Sequence, residues 1–265
     1  MIIKKVVNKI RKGYWKVVSK SKKKAFENNS VDIYQFMDDF FVCNIESLEK
    51  LKDTYSCKDY WQEQESYSIK KYFPKTYAAT NSLLFDSFIP LFNEKPDLLD
   101  IGCASGEWTM KMAPFCNSID GYEYSSQQVE TANKSVGDSS NIHFYQGNAK
   151  SLELSKTYDG ATILAMLMYM EDPEDIYKIL ENVYLNLKPG AYLCTRDTMN
   201  NEGKQAVYMY NRRTGYEAVY YSKDVYYEQF RKAGFVMKNE YLLDNVITEG
   251  LKFIHLANIW QKPVS

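Results

Sequence analysis

The stretch LLDIGCASGEWTM, which runs from Leu98 to Met110, constrains the fold of this chain more than any other feature. Apolar residues lead into Gly102, a turn of small residues follows, and Gly106 precedes a helical pattern. Glycine adopts backbone conformations that other residues avoid, and it lets a ligand approach the main chain closely. The stretch therefore predicts a strand, a ligand-contacting turn and a helix in succession.

The chain after Pro96 keeps this rhythm, with short apolar runs separated by helical stretches. Such alternation is typical of βαβ units and predicts an α/β fold with a mostly parallel sheet. Helices are predicted at Ser126–Lys134 and Asp175–Leu187, and the last two strands should pair antiparallel because only a short turn separates them. The predicted strands are Leu98–Ile101, Ser118–Tyr122, Ile142–Gln146, Gly160–Ala165, Ala191–Thr195, Phe235–Leu243 and Leu251–Trp260.

The spacing within the turn distinguishes between two kinds of cofactor. Dinucleotide-binding folds use the pattern G-x-G-x-x-G, whereas three residues separate Gly102 from Gly106. Asp100 stands two residues before the first glycine. Its charge would repel a pyrophosphate but attract a ligand that carries an ammonium and a sulfonium. The turn therefore favours S-adenosylmethionine over a nicotinamide dinucleotide.

In this turn and in the motifs after it, the sequence resembles the class I, Rossmann-like S-adenosylmethionine-dependent methyltransferases. Ala104 stands where the family usually has a middle glycine, and Glu123 follows Gly102 by 21 residues. The likeness rests on motifs over residues 96–200 and on strand order alone over 201–265. The other motifs that carry this resemblance are Gln146-Gly147-Asn148-Ala149, Asp159-Gly160-Ala161 and Leu187-Lys188-Pro189-Gly190.

The resemblance implies a seven-stranded sheet with helices on both faces and a reversed last hairpin. It also implies S-adenosylmethionine as the cofactor, with S-adenosylhomocysteine as the product. Asp100 would face the methionine part, Glu123 would bind the ribose hydroxyls, and Tyr124 would lie against the adenine. Trp108 packs near the cofactor or belongs to the core. The implied cofactor-binding residues are Asp100, Gly102, Cys103, Ala104, Gly106, Trp108, Glu123, Tyr124, Asn148, Ala149 and Ala165.

Catalytic candidates follow the fourth and fifth strands, because working residues of parallel sheets collect at the carboxyl ends of the strands. The enzyme must align an acceptor with the methyl group and remove a proton. Asp197 is the first candidate for the general base, and capping of a turn is its alternative role. Tyr169 and Glu171 are further candidates; alternatively, Tyr169 belongs to the core and Glu171 caps the next helix.

A tyrosine-rich segment, QAVYMYNRRTGYEAVYYSKD, predicts a hairpin inserted before a helix that starts near Ser222. Its tyrosines offer flat amphipathic faces suited to sugar rings, and its arginines offer planar forks suited to phosphate or carboxylate. The hairpin either covers a bound acceptor or only covers a sheet edge with its arginines in water. The predicted substrate-binding residues are Arg212, Arg213, Tyr216 and Tyr220.

An uneven charge distribution marks the beginning of the chain. Residues 1–24 hold ten of the 33 basic side chains and none of the 34 acidic ones, and the apolar residues fall on one side of a helical projection. Such a helix lies on an anionic membrane, packs on the protein body or contacts RNA, and these interpretations stay open. The predicted organisation is a basic segment at 1–26, a helical cap at 27–95 with helices at 33–52 and 60–73, and a cofactor-binding domain at 96–265.

Cysteine and histidine usage argues against other chemistries. Five scattered cysteines without a CxxC pair do not predict a disulfide framework or a zinc site. The two histidines, His143 and His255, are predicted to be structural, so no metal is expected. No apolar run approaches the roughly 20 residues that span a bilayer, and the start lacks a secretory signal pattern. A cytoplasmic location is therefore expected, peripheral on the membrane if residues 1–24 bind it.

Together these features favour methyl transfer to an oxygen of a polar small molecule or a glycan precursor. The basic start and the Tyr/Arg hairpin resemble enzymes that modify bacterial surface polysaccharides such as capsules. No base-methylating motif is present, and an acidic body argues against nucleic acid as a general partner. Two alternatives stay open: an RNA methyltransferase that uses residues 1–24 as a phosphate-binding arm, and a scaffold that binds the cofactor without turnover.

Overall fold

The structure is a computed structural model that describes residues 22, 24–25, 33–35, 39–55, 60–61, 70, 73–137, 139–248 and 251–264. Its helices are α1 (Ile45–Tyr55), α2 (Pro74–Ser82), α3 (Glu107–Met112), α4 (Ser126–Ser135), α5 (Pro173–Asn186) and α6 (Lys223–Lys232). Its strands are β1 (Ile33–Gln35), β2 (Phe40–Cys43), β3 (Asp97–Ile101), β4 (Ser118–Glu123), β5 (Ile142–Gln146), β6 (Tyr158–Leu164), β7 (Leu187–Asn200), β8 (Ala206–Asn211), β9 (Glu217–Tyr221), β10 (Val236–Thr248) and β11 (Leu251–Gln261).

Seven of these strands form the central sheet in the order β10-β11-β7-β6-β3-β4-β5. Strands β3 to β7 are parallel, whereas β11 runs antiparallel to both β7 and β10. The predicted fold class, with a reversed last hairpin, is confirmed. The chain fills the sheet outward from β3 to β5 and then returns to place β6 on the other side of β3. Ligands bind at such a switch point, outside the carboxyl ends of the strands.

Two apolar layers enclose the sheet because side chains alternate between its faces. On one face, α5 and α6 pack with Leu99 and Ile101 of β3. On the other face, the π-helical turn Leu83–Phe88 that follows α2 packs with α3, α4 and Leu98. Leu98, Leu99 and Ile101 are all buried, so β3 is covered on both sides as expected for a central parallel strand.

Helix starts follow the capping chemistry of the sequence. The side chains of Ser125, Asp172 and Ser222 accept hydrogen bonds from backbone amides in the first turns of α4, α5 and α6. Such caps satisfy donors that have no partner within the helix. The two predicted helices and the predicted helix start near Ser222 are confirmed within one or two residues.

Strand β7 is longer than the predicted Ala191–Thr195 because it pairs along much of its length. It lies beside β6, and Asn200 at its end pairs with Phe253 of β11. The predicted turn at Leu187–Gly190 coincides with an irregular register between β6 and β7. The strand therefore projects beyond the end of β6 toward the cleft described below.

A second sheet, here called the cover sheet, consists of β1, β2, β8 and β9 in that order. Strands β8 and β9 form the predicted hairpin, and β2 pairs antiparallel with β8. The prediction of a helix across residues 33–52 is wrong for its first half, since this part contains β1 and β2 and only the second half lies in α1. Pairing of β2 with β8, in a hairpin about 165 residues later, therefore overrides the helical spacing of apolar residues in this segment.

Two further predictions fall largely outside the described residues. Of the basic segment 1–26, only residues 22, 24 and 25 are described, and of the predicted helix 60–73 only residues 60, 61, 70 and 73. Within the described ranges, no helix is both long and apolar enough to cross a membrane.

Candidate functional site

A cleft of about 1110 Å³ lies between the carboxyl ends of the parallel strands and the cover sheet. Its floor comes from the turn after β3 and from the segments that follow β4, β5 and β6, and its roof comes from β8, β9 and the cap segments. Pockets for one small ligand usually measure roughly 300–1,000 Å³. The cleft is therefore large enough for a cofactor together with a second molecule.

The glycine turn occupies the floor of the cleft with three left-handed residues. Gly102, Ala104 and Gly106 have φ of 72°, 51° and 80°. The amides of Gly102 and Cys103 both donate to the Tyr122 carbonyl, at 2.8 and 3.2 Å, which fastens the turn to β4. A Cβ on Gly102 would lie 2.7 Å from the Met166 side chain. The turn thus needs glycine there both for its conformation and for its close packing.

Gly106 departs from its predicted role as a cofactor contact. It does not line the cleft, and a Cβ at this position would lie 2.4 Å from Cζ of Phe144. Its left-handed backbone is the N-cap of α3. The second glycine of the motif is therefore required for the start of the helix and its packing on β5.

Asp100 lies at the end of β3 and is fully buried at the base of the cleft. Its carboxylate accepts hydrogen bonds from the hydroxyls of Thr109 (2.6 Å) and Thr162 (2.7 Å). Burial raises the pKa of Asp100, the two threonine bonds oppose that change, and the Glu123 charge adds to it. The threonines fix the carboxylate where a cationic ligand would be attracted.

Glu123 lies at the end of β4 and connects two loops of the floor. Its Oε2 accepts from the amide of Ala104 at 3.0 Å and its Oε1 from that of Ser125 at 2.9 Å. Burial raises the pKa of Glu123, while these backbone bonds lower it. Each carboxylate oxygen has a further lone pair for an external donor. The geometry therefore fits the predicted ribose contact.

The remaining predicted cofactor residues surround these two acids. Tyr124 is exposed at the rim, Asn148 caps a short 3-10 turn through the amide of Lys150 (3.0 Å), and Ala165 has a left-handed φ of 60° directly after β6. Ten of the eleven predicted positions line the cleft, all except Gly106; they are Asp100, Gly102, Cys103, Ala104, Trp108, Glu123, Tyr124, Asn148, Ala149 and Ala165.

Gln128 is a lining residue of this floor that the sequence did not reveal. It lies in α4, it is buried, and its Oε1 has no hydrogen-bond partner. A buried acceptor without a donor is costly unless a ligand or water satisfies it. Its position suits a donor group of the cofactor, but its place in an amphipathic helix predicted only core packing.

Four aromatic side chains that line the cleft form a wall. The centroid of the Tyr169 ring lies 4.6 Å from that of Trp61 and 6.0 Å from that of Tyr216. The ring centroids of Tyr60 and Tyr216 are 5.2 Å apart. This aromatic wall, Tyr60, Trp61, Tyr169 and Tyr216, joins the cap to the end of β6 and to the hairpin. Tyr169 and Tyr216 were predicted for this region.

A charged cluster adjoins the wall. Lys52 of α1 forms ion pairs with Glu171 (2.7 Å) and with Glu217 of β9 (3.0 Å). Burial raises the pKa of Glu217, and the neighbouring Glu171 raises it further against the effect of Lys52. The cluster, named here the carboxylate pair with Lys52, brings together three distant segments that all line the cleft. Of its members, the sequence predicted only Glu171.

The structure does not support Asp197 as a general base. Its carboxylate lies on the α6 face of β7, outside the residues that line the cleft, and it accepts from the Tyr226 hydroxyl (2.5 Å) and the Met168 amide (3.3 Å). Burial raises its pKa to about 7. Because side chains alternate along a strand, the neighbours Arg196 and Thr198 face the cleft instead.

Of the four predicted substrate-binding residues in the hairpin, two line the cleft and two do not. Tyr216 and Tyr220 line the cleft as predicted, whereas Arg212 and Arg213 do not. Arg212 pairs with Asp39 at 3.4 Å beside β2, and Arg213 is exposed at the tip of the turn. The predicted contact of these two arginines with an acceptor is therefore not supported by their positions.

The two histidines differ in their surroundings. His143 is half-exposed and lies 3.3 Å from Asp120, in keeping with the predicted structural role. His255, which was expected to be a core or edge residue, lines the cleft, and its Nδ1 lies 2.7 Å from the Thr76 hydroxyl. The sequence alone does not predict that His255 lines the cleft, because its position follows from the strand register that pairs it with Thr198 of β7.

Comparisons with known proteins agree with this geometry. Residues 98–190 match the methyltransferase domain family. Nodulation protein S of Sinorhizobium fredii is 23% identical over 95 residues, 36% of this chain and 44% of that protein. Malonyl-[acyl-carrier protein] O-methyltransferase of Halalkalibacterium halodurans is 31% identical over 108 residues, 38% of each chain. This chain spans less than half the length of these curated relatives.

Solved structures share the fold at low sequence identity. The N-methyltransferase NodS of Bradyrhizobium japonicum, in complex with S-adenosylhomocysteine, has a TM-score of 0.54 and 16% identity, covering 81% of this chain and 97% of that one. A methyltransferase of Methanosarcina mazei has a TM-score of 0.56 and 21% identity, covering 66% and 95%. Residues 98–190 thus match a methyltransferase domain, and the chain shares the class I fold of these S-adenosylmethionine-dependent enzymes. The cofactor predicted from the sequence agrees with both findings.

Proposed function

We propose that this protein transfers the methyl group of S-adenosylmethionine to an oxygen of a polar small molecule or a glycan precursor, of the kind used for a capsule or another surface polysaccharide. The observation that supports this most is the continuity of the cleft. The same cavity is lined by Asp100 and Glu123 and also by the aromatic wall and the carboxylate pair with Lys52. In this proposal the first two residues mark its cofactor end, and the wall and the pair mark its acceptor end.

The chemistry of the acceptor end suits a polyhydroxylated molecule. Aromatic rings offer flat apolar faces with polar edges, which complement the two faces of a sugar ring. Carboxylates accept hydrogen bonds from hydroxyls, and Lys52 donates. The wall and the carboxylate pair therefore provide both stacking and hydrogen bonding for a sugar-like acceptor.

Methyl transfer to a hydroxyl breaks the bond between sulfur and the methyl carbon, forms the bond between carbon and oxygen, and releases one proton. A base within hydrogen-bond reach accepts that proton. Glu171 and Glu217 are carboxylates of the acceptor end, and burial raises the pKa of Glu217, which makes its ionised form a stronger base. We assign proton acceptance to this pair, with Lys52 holding the two groups in place.

A second candidate is methyl transfer to an amine. Two carboxylates beside a single lysine leave a net negative charge, which attracts an ammonium group. The solved NodS is described as an N-methyltransferase. The two candidates differ only in the nucleophile and can be separated by direct assay.

The test offers matched hydroxyl and amino compounds, sugar nucleotides and polysaccharide fragments among them, together with S-adenosylmethionine, and detects a gain of one CH₂ by mass spectrometry. Products from hydroxyl compounds support oxygen transfer. Products from amino compounds alone would replace it by the second candidate, and binding of S-adenosylhomocysteine without any product across the panel would refute both.

Paired substitution tests the carboxylates. The double variant Glu171→Gln with Glu217→Gln should lose roughly 10²–10⁴-fold in kcat, the usual contribution of a general base. Binding of S-adenosylhomocysteine should not change. Glu181→Gln, which alters an exposed acid of α5, is the control and should behave as the wild type. An unchanged kcat in the double variant would remove the pair from the mechanism.

A further inference from the structure

One corner of the cleft carries a buried cation. Arg196 and Thr198 of β7 and His255 of β11 all line the cleft, and the residues Arg196 and His255 are each only 6% exposed. Thr198 pairs directly with His255 across the two strands. These three residues, the cationic corner, stand apart in the sequence from the glycine turn and from the carboxylate pair.

The charge of this corner is that of Arg196. A guanidinium stays protonated in proteins, whereas burial first, and the Arg196 charge second, lower the pKa of His255 to about 4 against the opposing effect of Asp244. The other elements packed on the imidazole contribute the Thr76 hydroxyl at 2.7 Å and the Phe73 ring at 5.7 Å, neither of them charged. His255 is therefore neutral near pH 7.

The chemistry of the three groups suits an oxyanion. A guanidinium presents parallel donors that match the two oxygens of a carboxylate or phosphate. A hydroxyl and a neutral imidazole can donate or accept beside it. The acid next in sequence, Asp197, makes its hydrogen bonds with Tyr226 and Met168 on the opposite face of β7, and the Arg196 charge lowers its pKa from there, against the larger effect of burial. The low-dielectric position strengthens attraction to an anion inside the cleft.

We propose that the cationic corner binds an oxyanion of the methyl acceptor, a carboxylate or a phosphate, through Arg196 with Thr198 and His255 beside it. This proposal rests on the proposed function and narrows its substrate class to acceptors that carry such a group.

Titration of the two histidines by NMR tests the site without turnover, because the chain contains only His143 and His255. The full chain saturated with S-adenosylhomocysteine is titrated with acetate, with inorganic phosphate and with acetamide as the uncharged control. A bound anion should raise the pKa of His255 by at least about 1, as an adjacent opposite charge does. Acetamide should have no effect, and His143, which lies outside the cleft, should not respond to any of the three.

Variants assign the effect to Arg196. Arg196→Gln should raise the pKa of His255 without any anion and abolish the response to acetate and phosphate, while Arg196→Lys should keep part of it. Arg231→Gln, an exposed arginine of α6, is the matched control and should behave as the wild type. Binding of S-adenosylhomocysteine by each variant shows that it is folded.

Two results would overturn the proposal. One is a His255 pKa in the wild type that responds to neither acetate nor phosphate. The other is a loss of tenfold or more in S-adenosylhomocysteine affinity in Arg196→Gln, which would assign the guanidinium to the cofactor's own carboxylate. The relative responses to acetate and phosphate identify the preferred oxyanion. Absence of methylated products with anion binding intact would refute the proposed function and leave this site standing.

Discussion

Ala104 shows how a single residue shapes the cofactor end of the cleft. It adopts a left-handed φ of 51°, a conformation that costs a residue with a Cβ on the order of 1 kcal/mol or more. Its amide donates to Glu123 at 3.0 Å, and the neighbouring amides of Gly102 and Cys103 bond to Tyr122. These hydrogen bonds stabilise the left-handed conformation of Ala104, so that alanine can occupy the position where the family usually has glycine.

Replacement of Glu123 by glutamine tests the ribose assignment. Glu123→Gln removes the charge that would strengthen bonds to the two ribose hydroxyls, and it turns an amide NH₂ toward the donating amides of Ala104 or Ser125. The expected loss is roughly 1–3 kcal/mol, or about 5- to 150-fold in the Kd of S-adenosylhomocysteine by calorimetry. Glu153→Gln, an exposed acid, is the control. An unchanged Kd in Glu123→Gln would contradict the assignment.

At the scale of elements, Asp197 joins three parts of the fold. Its carboxylate on β7 receives the Tyr226 hydroxyl from α6 and the Met168 amide from the segment after β6. That segment continues into Tyr169 of the aromatic wall. Asp197 thus fixes the segment that carries Tyr169, and it does so from outside the residues that line the cleft.

The raised pKa of Asp197 predicts a pH dependence of stability. Its pKa is about 7 in the folded chain and near 3.8 in the unfolded one, so the folded state holds the extra proton between these values. The contribution of Asp197 to the free energy of unfolding is therefore greatest below about pH 4. It decreases as the pH rises to 7, by at most about 1.4 kcal/mol per pH unit.

Urea unfolding of the wild type and of Asp197→Asn at pH 5, 6 and 7 measures this effect. The variant should show a flatter dependence of the unfolding free energy on pH, because asparagine does not titrate. Asp224→Asn, an exposed acid at the start of α6, should keep the wild-type slope. Parallel curves for the wild type and Asp197→Asn would show that Asp197 does not titrate in this range.

The elements also show what the sequence could predict. Strands β3 to β7 and the last hairpin follow from local apolar runs and glycine turns, and the motif residues of the cofactor end lie at fixed offsets from those strands. Strands β1 and β2 could not be found in this way, because their partners lie in the hairpin about 165 residues later. Side chains alternate between the two faces of β7, so that Arg196 faces the cleft and Asp197 does not. Two neighbouring residues at the end of a predicted strand do not show which of them faces the cleft.

On the scale of the whole molecule, the two ends of the cleft come from different parts of the chain. The cofactor end lies within residues 98–190, the part that matches the methyltransferase domain family. The acceptor end is built largely from segments outside that part, namely α1, the cover sheet, the end of β7 and β11. Under the proposed function, acceptor choice would therefore depend largely on segments that the family comparison does not cover, together with Tyr169 and Glu171.

This division predicts that substitutions at the two ends act independently. Glu123→Gln should raise the KM for the cofactor alone, and Tyr216→Ala, which removes a ring of the aromatic wall, should raise the KM for the acceptor alone. In the double variant, the losses in kcat/KM, expressed as free energies, should add within roughly 0.5 kcal/mol, as they do for distant sites without shared partners. Phe115→Ala removes an exposed ring outside the cleft and serves as the control. A coupling energy well above about 1 kcal/mol would mean that cofactor and acceptor share one binding surface, and that the cover sheet does not act as a separate acceptor site.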